Sequence, residues 1–128
     1  MSLLRSAQIA VVVAVILVLT LTPVSVPNGA SVTAVRFFGT RGLADAINNI
    51  LLFLPLGVVL ARVLGGTRTP IVLAAALSVV VEVAQIGIPG RFSSPSDILF
   101  NTLGAALGVA LVRRSQLLLT PTRRARRI

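Results

Sequence analysis

Four apolar stretches, each near the roughly 17–25 residues that cross a bilayer as a helix, occupy most of this 128-residue chain. They cover about 7–22, 44–64, 70–88 and 96–112. Within hydrocarbon, backbone amides and carbonyls must pair inside their own segment, so each stretch is expected to be helical. The expected fold class is therefore all-α: a polytopic membrane protein built as a four-transmembrane-helix bundle. Pro23 stops the first stretch, and Pro55 and Gly57 interrupt the second. Pro55 carries no amide donor and frees the Leu51 carbonyl, which predicts a kinked second helix. That kink is read as shaping the bundle in preference to gating it. A composition of 55% hydrophobic and 12% charged residues, with mean hydropathy +0.99, is too apolar for a soluble domain. One membrane domain spans 1–128, with a core at 44–112 and a basic tail at 113–128.

The first stretch has a rival reading. Arg5, an apolar run and small residues around Ala30 and Ala34 also suit a secretory signal. The run is long for a signal and no A-x-A-like site follows it promptly, so a retained helix is preferred. Either way, Pro23 lies outside the cell.

Composition removes several chemistries. The chain has no Cys, His or Lys, which excludes thiol nucleophiles, disulfides, imidazole-based zinc sites and Schiff bases. No cofactor and no metal are expected. Trp and Tyr are also missing, so arginines must mark the membrane boundaries. A net charge of +9 does not imply nucleic acid, because the arginines are scattered between apolar spans and build no basic, aromatic groove. The expected partners are membrane lipids; the sequence leaves homo-oligomers open.

Orientation follows from the arginines. With four spans, one side carries Arg5, Arg62, Arg68, Arg113, Arg114, Arg123, Arg124, Arg126 and Arg127 without a carboxylate. The other carries Arg36, Arg41 and Arg91 with all three acids. This excess puts both termini in the cytoplasm and the loops 23–43 and 90–95 outside the cell membrane. The tail TPTRRARRI is read as a topology determinant lying on anionic inner-leaflet headgroups, at about 1 kcal/mol per basic residue near the surface.

The three carboxylates, Asp45, Glu82 and Asp97, each sit at or just inside one end of a stretch. A carboxylate near hydrocarbon is costly and persists only with a partner and a purpose. Asn48 and Asn49 lie a turn inside the second helix, Asn101 a turn inside the fourth, and Glu82 and Gln85 one to two turns inside the third. At about 1.5 Å per residue, these side chains share a depth roughly 5–9 Å below the outer boundary. Asp45/Asn49 and Asp97/Asn101 are four apart and Glu82/Gln85 three apart, so each pair shares a helix face. The fourth helix continues that face through Gly104 and Gly108, a spacing that admits a close neighbour. The third continues through Ser78 and Ala75. Pro89-Gly90 reads as a turn, Ser96 as the cap of the fourth helix, and Asp97 suits the positive end of its dipole. Arg91 is expected to reach Glu82 or Asp97.

The segments NNILLFLPLG, after Asp45, and EVAQIGIPGRFSSPSDILFNTLGAALG resemble the VanZ-like family of small membrane proteins. The resemblance covers 45–108, about half the chain. It rests on Asp45, Asn49, Phe53, Pro55, Gly57, Glu82, Gln85, Arg91, Asp97, Asn101 and Gly104. It implies a multi-helix envelope protein; the name-giving member is associated with low-level resistance to the lipoglycopeptide teicoplanin.

Three functions compete. In the favoured one, a non-enzymatic pocket of Asp45, Asn49, Glu82, Gln85, Arg91, Asp97 and Asn101 holds the polar head of an outer-leaflet lipid or lipidated glycopeptide. Arg91 would clamp a phosphate or carboxylate; Asp97 suits a phosphate less, which leaves an amine-bearing or sugar head as the alternative. In the second, a membrane-embedded enzyme modifies a lipid-linked envelope substrate, with Glu82 and Asp97 as acid and base. No nucleophile–base set supports it. Transport is the third, and the polar cluster does not continue inward to serve it. Glu82–Arg91 and Asp97–Asn101 as mere register-fixing pairs would explain one pair, but not seven polar residues at one depth.

Overall fold

A computed structural model describes residues 2–24 and 42–119, together with the backbone of 34–35. The chain is a multi-pass membrane protein: the described residues form four helices, all long and apolar enough to span a bilayer. They are α1 (Leu3–Leu21), α2 (Leu43–Leu64), α3 (Arg68–Gln85) and α4 (Pro95–Leu119). Two-residue strands β1 (Ala34–Val35) and β2 (Phe92–Ser93) pair in parallel, Ala34 with Phe92 and Val35 with Ser93. This pairing ties the α1–α2 connection to the α3–α4 connection.

Local chemistry sets the boundaries. In α1, the hydroxyls of Thr20 and Thr22 donate back to the carbonyls of Ile16 and Val18, and the helix ends ahead of Pro23. Between α2 and α3 the turn uses Gly65 and Gly66, both at φ +69°, a backbone state glycine adopts without steric cost. Pro70 lies in the first turn of α3, where its missing N–H would have had no helical acceptor. Pro55 lies inside α2, which continues through it.

Three expected boundaries move. The third helix stops at Gln85, not Ile88: Ile86, Gly87 and Ile88 donate three residues back, to Val83, Ala84 and Gln85, tightening the chain ahead of Pro89. The fourth helix continues past Val112 to Leu119. Hydropathy falls at Arg113 and Arg114, but a helix pairs its own backbone in water as well as in lipid, so the drop marks no helix end. Its cap residue also differs. The helix starts with Pro95 in the position that suits its fixed φ, so Ser94, not Ser96, precedes it and accepts the Asp97 N–H (2.9 Å). The arginines at 36, 41, 123, 124, 126 and 127 and the segment 120–128 lie outside the described residues.

Packing is organised by α2 and α4, which make the most extensive helix contact. The two run parallel, with Gly104 against Ile50, Gly108 against Leu54 and Gly57 against Ala105. At each of these glycines a Cβ would overlap backbone atoms of the facing helix. The Gly104/Gly108 face thus has its close neighbour, and that neighbour is α2. Phe53, Leu56, Leu60, Ala74, Val81, Ala105 and Ile16 form the apolar core. On α3 the inward stripe runs Ala74, Ser78, Val81, Glu82 and Gln85; Ala75, expected on it, is only half-buried. Leucines and valines elsewhere on the helices face outward, as lipid contact requires.

Substituting Gly104→Val should separate α2 from α4 and cost at least the roughly 1–3 kcal/mol typical of overpacking. Gly87→Ala, whose Cβ would sit 4.0 Å from the Ala84 carbonyl oxygen, should fall within about 0.5 kcal/mol of wild type. Denaturant unfolding in detergent micelles checks the pair.

Candidate functional site

The end of α1, the start of α2, the end of α3 and the start of α4 meet at one end of the bundle around a cavity of about 600 Å³. All seven residues singled out in the sequence line it: Asp45, Asn49, Glu82, Gln85, Arg91, Asp97 and Asn101. Asn48, Leu19, Thr20, Leu51, Leu52, Val81, Gly90 and Phe92 complete the wall. The α2–α4 contact explains why two of the pairs face each other. Parallel helices in glycine register put their first turns side by side, Asp45 and Asn49 on one and Asp97 and Asn101 on the other.

Glu82 is 4% exposed and fixes the α3–α4 connection. Its carboxylate accepts the Ser94 N–H at 2.7 Å, and the Ser93 hydroxyl also bonds to it. Asp97 takes hydrogen bonds from the side chains of Asn49 and Ser96. It lies close enough to both Asp45 and Glu82 for mutual repulsion. Gln85, also buried, donates through Nε2 to the Thr20 carbonyl at 3.0 Å, linking α3 to α1.

Arg91 corrects the sequence reading. It pairs with neither Glu82 nor Asp97. Its Nε donates to the Thr22 carbonyl at 2.9 Å and its Nη2 to the Leu19 carbonyl at 2.6 Å. These carbonyls end α1, a helix with no basic residue of its own in its last turn. A guanidinium from the α3–α4 connection therefore supplies the positive charge that a helix C-terminus favours. Partial burial lowers the Arg91 pKa from its ordinary value, though a guanidinium stays charged at neutral pH.

Asn101 is the most enclosed member, 2% exposed. Its Nδ2 donates to Ser78 Oγ on α3 at 2.9 Å, while its Oδ1 is buried with no hydrogen-bond partner among the described residues. Flipping the amide would only exchange which atom is left over, because Ser78 satisfies one end. Among the described residues, no three acidic side chains come close enough to share a metal ion.

Sequence reasoning missed Thr20, Ser78, Ser93 and Ser94. Ser78 carried a usable signal, standing four residues before Glu82 on one helix face, but was read as a small packing residue only. Thr20 belongs to a helix outside the 45–108 resemblance. The serines lie in a connection whose path no periodicity reports.

Four membrane-length helices with their polar side chains drawn to one end define a small polytopic membrane protein with a polar terminal recess. Within that class the chain belongs to the VanZ/LLP1 family, whose family model matches residues 6–119. The match reaches beyond 45–108 and takes in most of α1 and all of α4. No curated protein and no solved structure matches the chain.

Removing the Arg91 side chain leaves two α1 carbonyls without their charged donor. Arg91→Ala should loosen the last turn of α1, by about 1 kcal/mol for a partly exposed contact. Faster amide hydrogen exchange in the last turn of α1, with α4 unchanged, is the expected outcome.

Proposed function

We propose that this protein is a non-enzymatic binder whose recess takes the polar head of an outer-leaflet amphiphile bearing an amine or several hydroxyls. The observation that carries the reading is the buried Asn101 Oδ1 in a wall already built from acids and amides. An amide satisfied at one end only is costly in a low-dielectric site, and a ligand hydroxyl, which both donates and accepts, relieves it whichever way the amide is turned. Charge favours the same class: Asp45, Glu82 and Asp97 outnumber Arg91, and Arg91 already serves two carbonyls. A phosphate or free carboxylate would meet net repulsion; an ammonium or a sugar would not. Acid–base catalysis by Glu82 and Asp97 has weaker support, since Glu82 is committed to holding Ser93 and Ser94.

The recess end is taken to face outward in the cell membrane, with both termini cytoplasmic. Arg5, Arg62, Arg68, Arg113 and Arg114 belong to the opposite end, where Arg113 donates to Thr67 in the α2–α3 turn. The basic tail is proposed to rest on anionic inner-leaflet headgroups.

Asp97→Asn should weaken binding of an amine-headed lipid about tenfold, the loss of one charge-assisted contact worth about 1.4 kcal/mol. Native mass spectrometry in micelles measures it; an unchanged lipid adduct contradicts the reading. A lipidated glycopeptide combines amine, sugar and acyl chain, so any resistance should be restricted to the lipidated drug and vanish in Asp97→Asn cells. Because the chain is free of cysteine, orientation is tested separately. On intact cells a membrane-impermeant maleimide should label Asn48→Cys and leave Thr67→Cys unlabelled.

A further inference from the structure

A second cavity of about 280 Å³ lies on the flank of the bundle, between α1 and α2. Its wall is apolar, formed by Val11, Val15 and Ile16 of α1 and Leu51, Leu52 and Pro55 of α2. Leu51 and Leu52 also line the polar recess, so the two cavities adjoin across one turn of α2. Both helices carry a continuous face from one to the other. On α1, Val11, Val15 and Leu19 follow at intervals of four, with Leu19 in the recess and the valines in the groove. On α2, Asn48 leads through Leu51 and Leu52 to Pro55.

Side-chain choice keeps the groove open. Val11 and Val15 are short and β-branched, and Pro55 contributes a compact ring to the α2 side of the wall. The floor is Ile16, fully buried, while Val11, Val15 and Leu51 stand exposed along the rim. The α1 helix buries only Ile16 and Thr20, so it leans on the bundle without sealing this flank.

We propose that the groove between α1 and α2 holds a hydrocarbon chain of the same molecule whose polar head occupies the recess. The inference rests on the head-binding reading and names the ligand class more narrowly: an amphiphile whose head and chain are joined by a short linkage. Asn49 and Pro55 are six residues apart, about 9 Å along the helix, so a chain enters the groove directly below the head. A bulk-lipid chain gains no hydrophobic energy by entering, because it leaves equally apolar surroundings. Retention of a particular chain therefore comes from its tether, which raises its effective concentration at the groove.

The test uses purified full-length protein in phosphatidylcholine nanodiscs with an alkyl glucosaminide, an amphiphile whose sugar head carries an amine and no phosphate, bearing a diazirine midway along its chain. Binding of the chain-free head, methyl glucosaminide, is measured alongside. On irradiation, label should concentrate in 11–16 and 51–55 and fall about tenfold in Asp97→Asn, in step with the loss of head affinity. Val15→Phe, a substitution at an exposed position, should reduce groove label while chain-free head binding stays unchanged. Groove label that persists in Asp97→Asn although head binding falls would overturn the groove inference and leave the head reading standing. If neither label nor head binding responds to Asp97→Asn, both are overturned. Equal groove label in Val15→Phe and wild type would also overturn the groove assignment.

Discussion

Contact between α2 and α4 through Gly57, Gly104 and Gly108 is the interaction on which the remaining architecture depends. In hydrocarbon, helices gain little from burying apolar side chains against one another, so close backbone approach and interhelical hydrogen bonds must hold the bundle. Glycine at three contact points lets the two backbones touch, and the parallel register brings both N-termini to the same level. Asp45 and Asn49 then stand beside Asp97 and Asn101. The recess is thus a consequence of packing one to three turns deeper.

Electrostatics makes this end of the bundle tolerable. Each first turn of α2 and α4 carries one aspartate, which suits the positive end of a helix dipole, and Arg91 sits on the negative end of α1. Glu82 serves the connection between α3 and α4 through the Ser94 amide. Charged groups that would be prohibitive in isolation are therefore each matched to a backbone group. What this matching does not absorb is the Asn101 carbonyl oxygen and the surplus of acid over base in the cavity wall. Those two features are the ones on which the proposed binding role rests.

The four helices and the convergence of their polar ends were legible because both follow from spacing alone. Hydrophobic runs of spanning length dictate helices, and polar pairs three or four apart dictate a shared face. The glycine seam was legible for the same reason, although the identity of its partner helix was not. Arg91 could not be placed from sequence: its acceptors are backbone carbonyls on α1, and every residue offers such a carbonyl. The end of α4 was misjudged because loss of hydropathy reports the bilayer surface, whereas Arg113 and Arg114 continue the backbone ladder in water. Ser94 displaced Ser96 as the cap because Pro95 fits the first helical position. The groove beside Pro55 was invisible because it needs the relative placement of two helices, one of them outside the sequence resemblance.

Disulfide trapping tests the convergence of the four helix ends most directly, since the natural chain contains no cysteine to interfere. One double variant joins α2 to α4, with cysteines replacing Asn49 and Asp97. A second joins α1 to α3, replacing Thr20 and Gln85, which are hydrogen bonded at 3.0 Å through side chain and carbonyl. Mild oxidation in native membranes should close both bridges within single chains, seen as faster-migrating monomers reversed by reductant. Failure of both pairs to close, while each cysteine alone still reacts with a small maleimide, would contradict the shared recess.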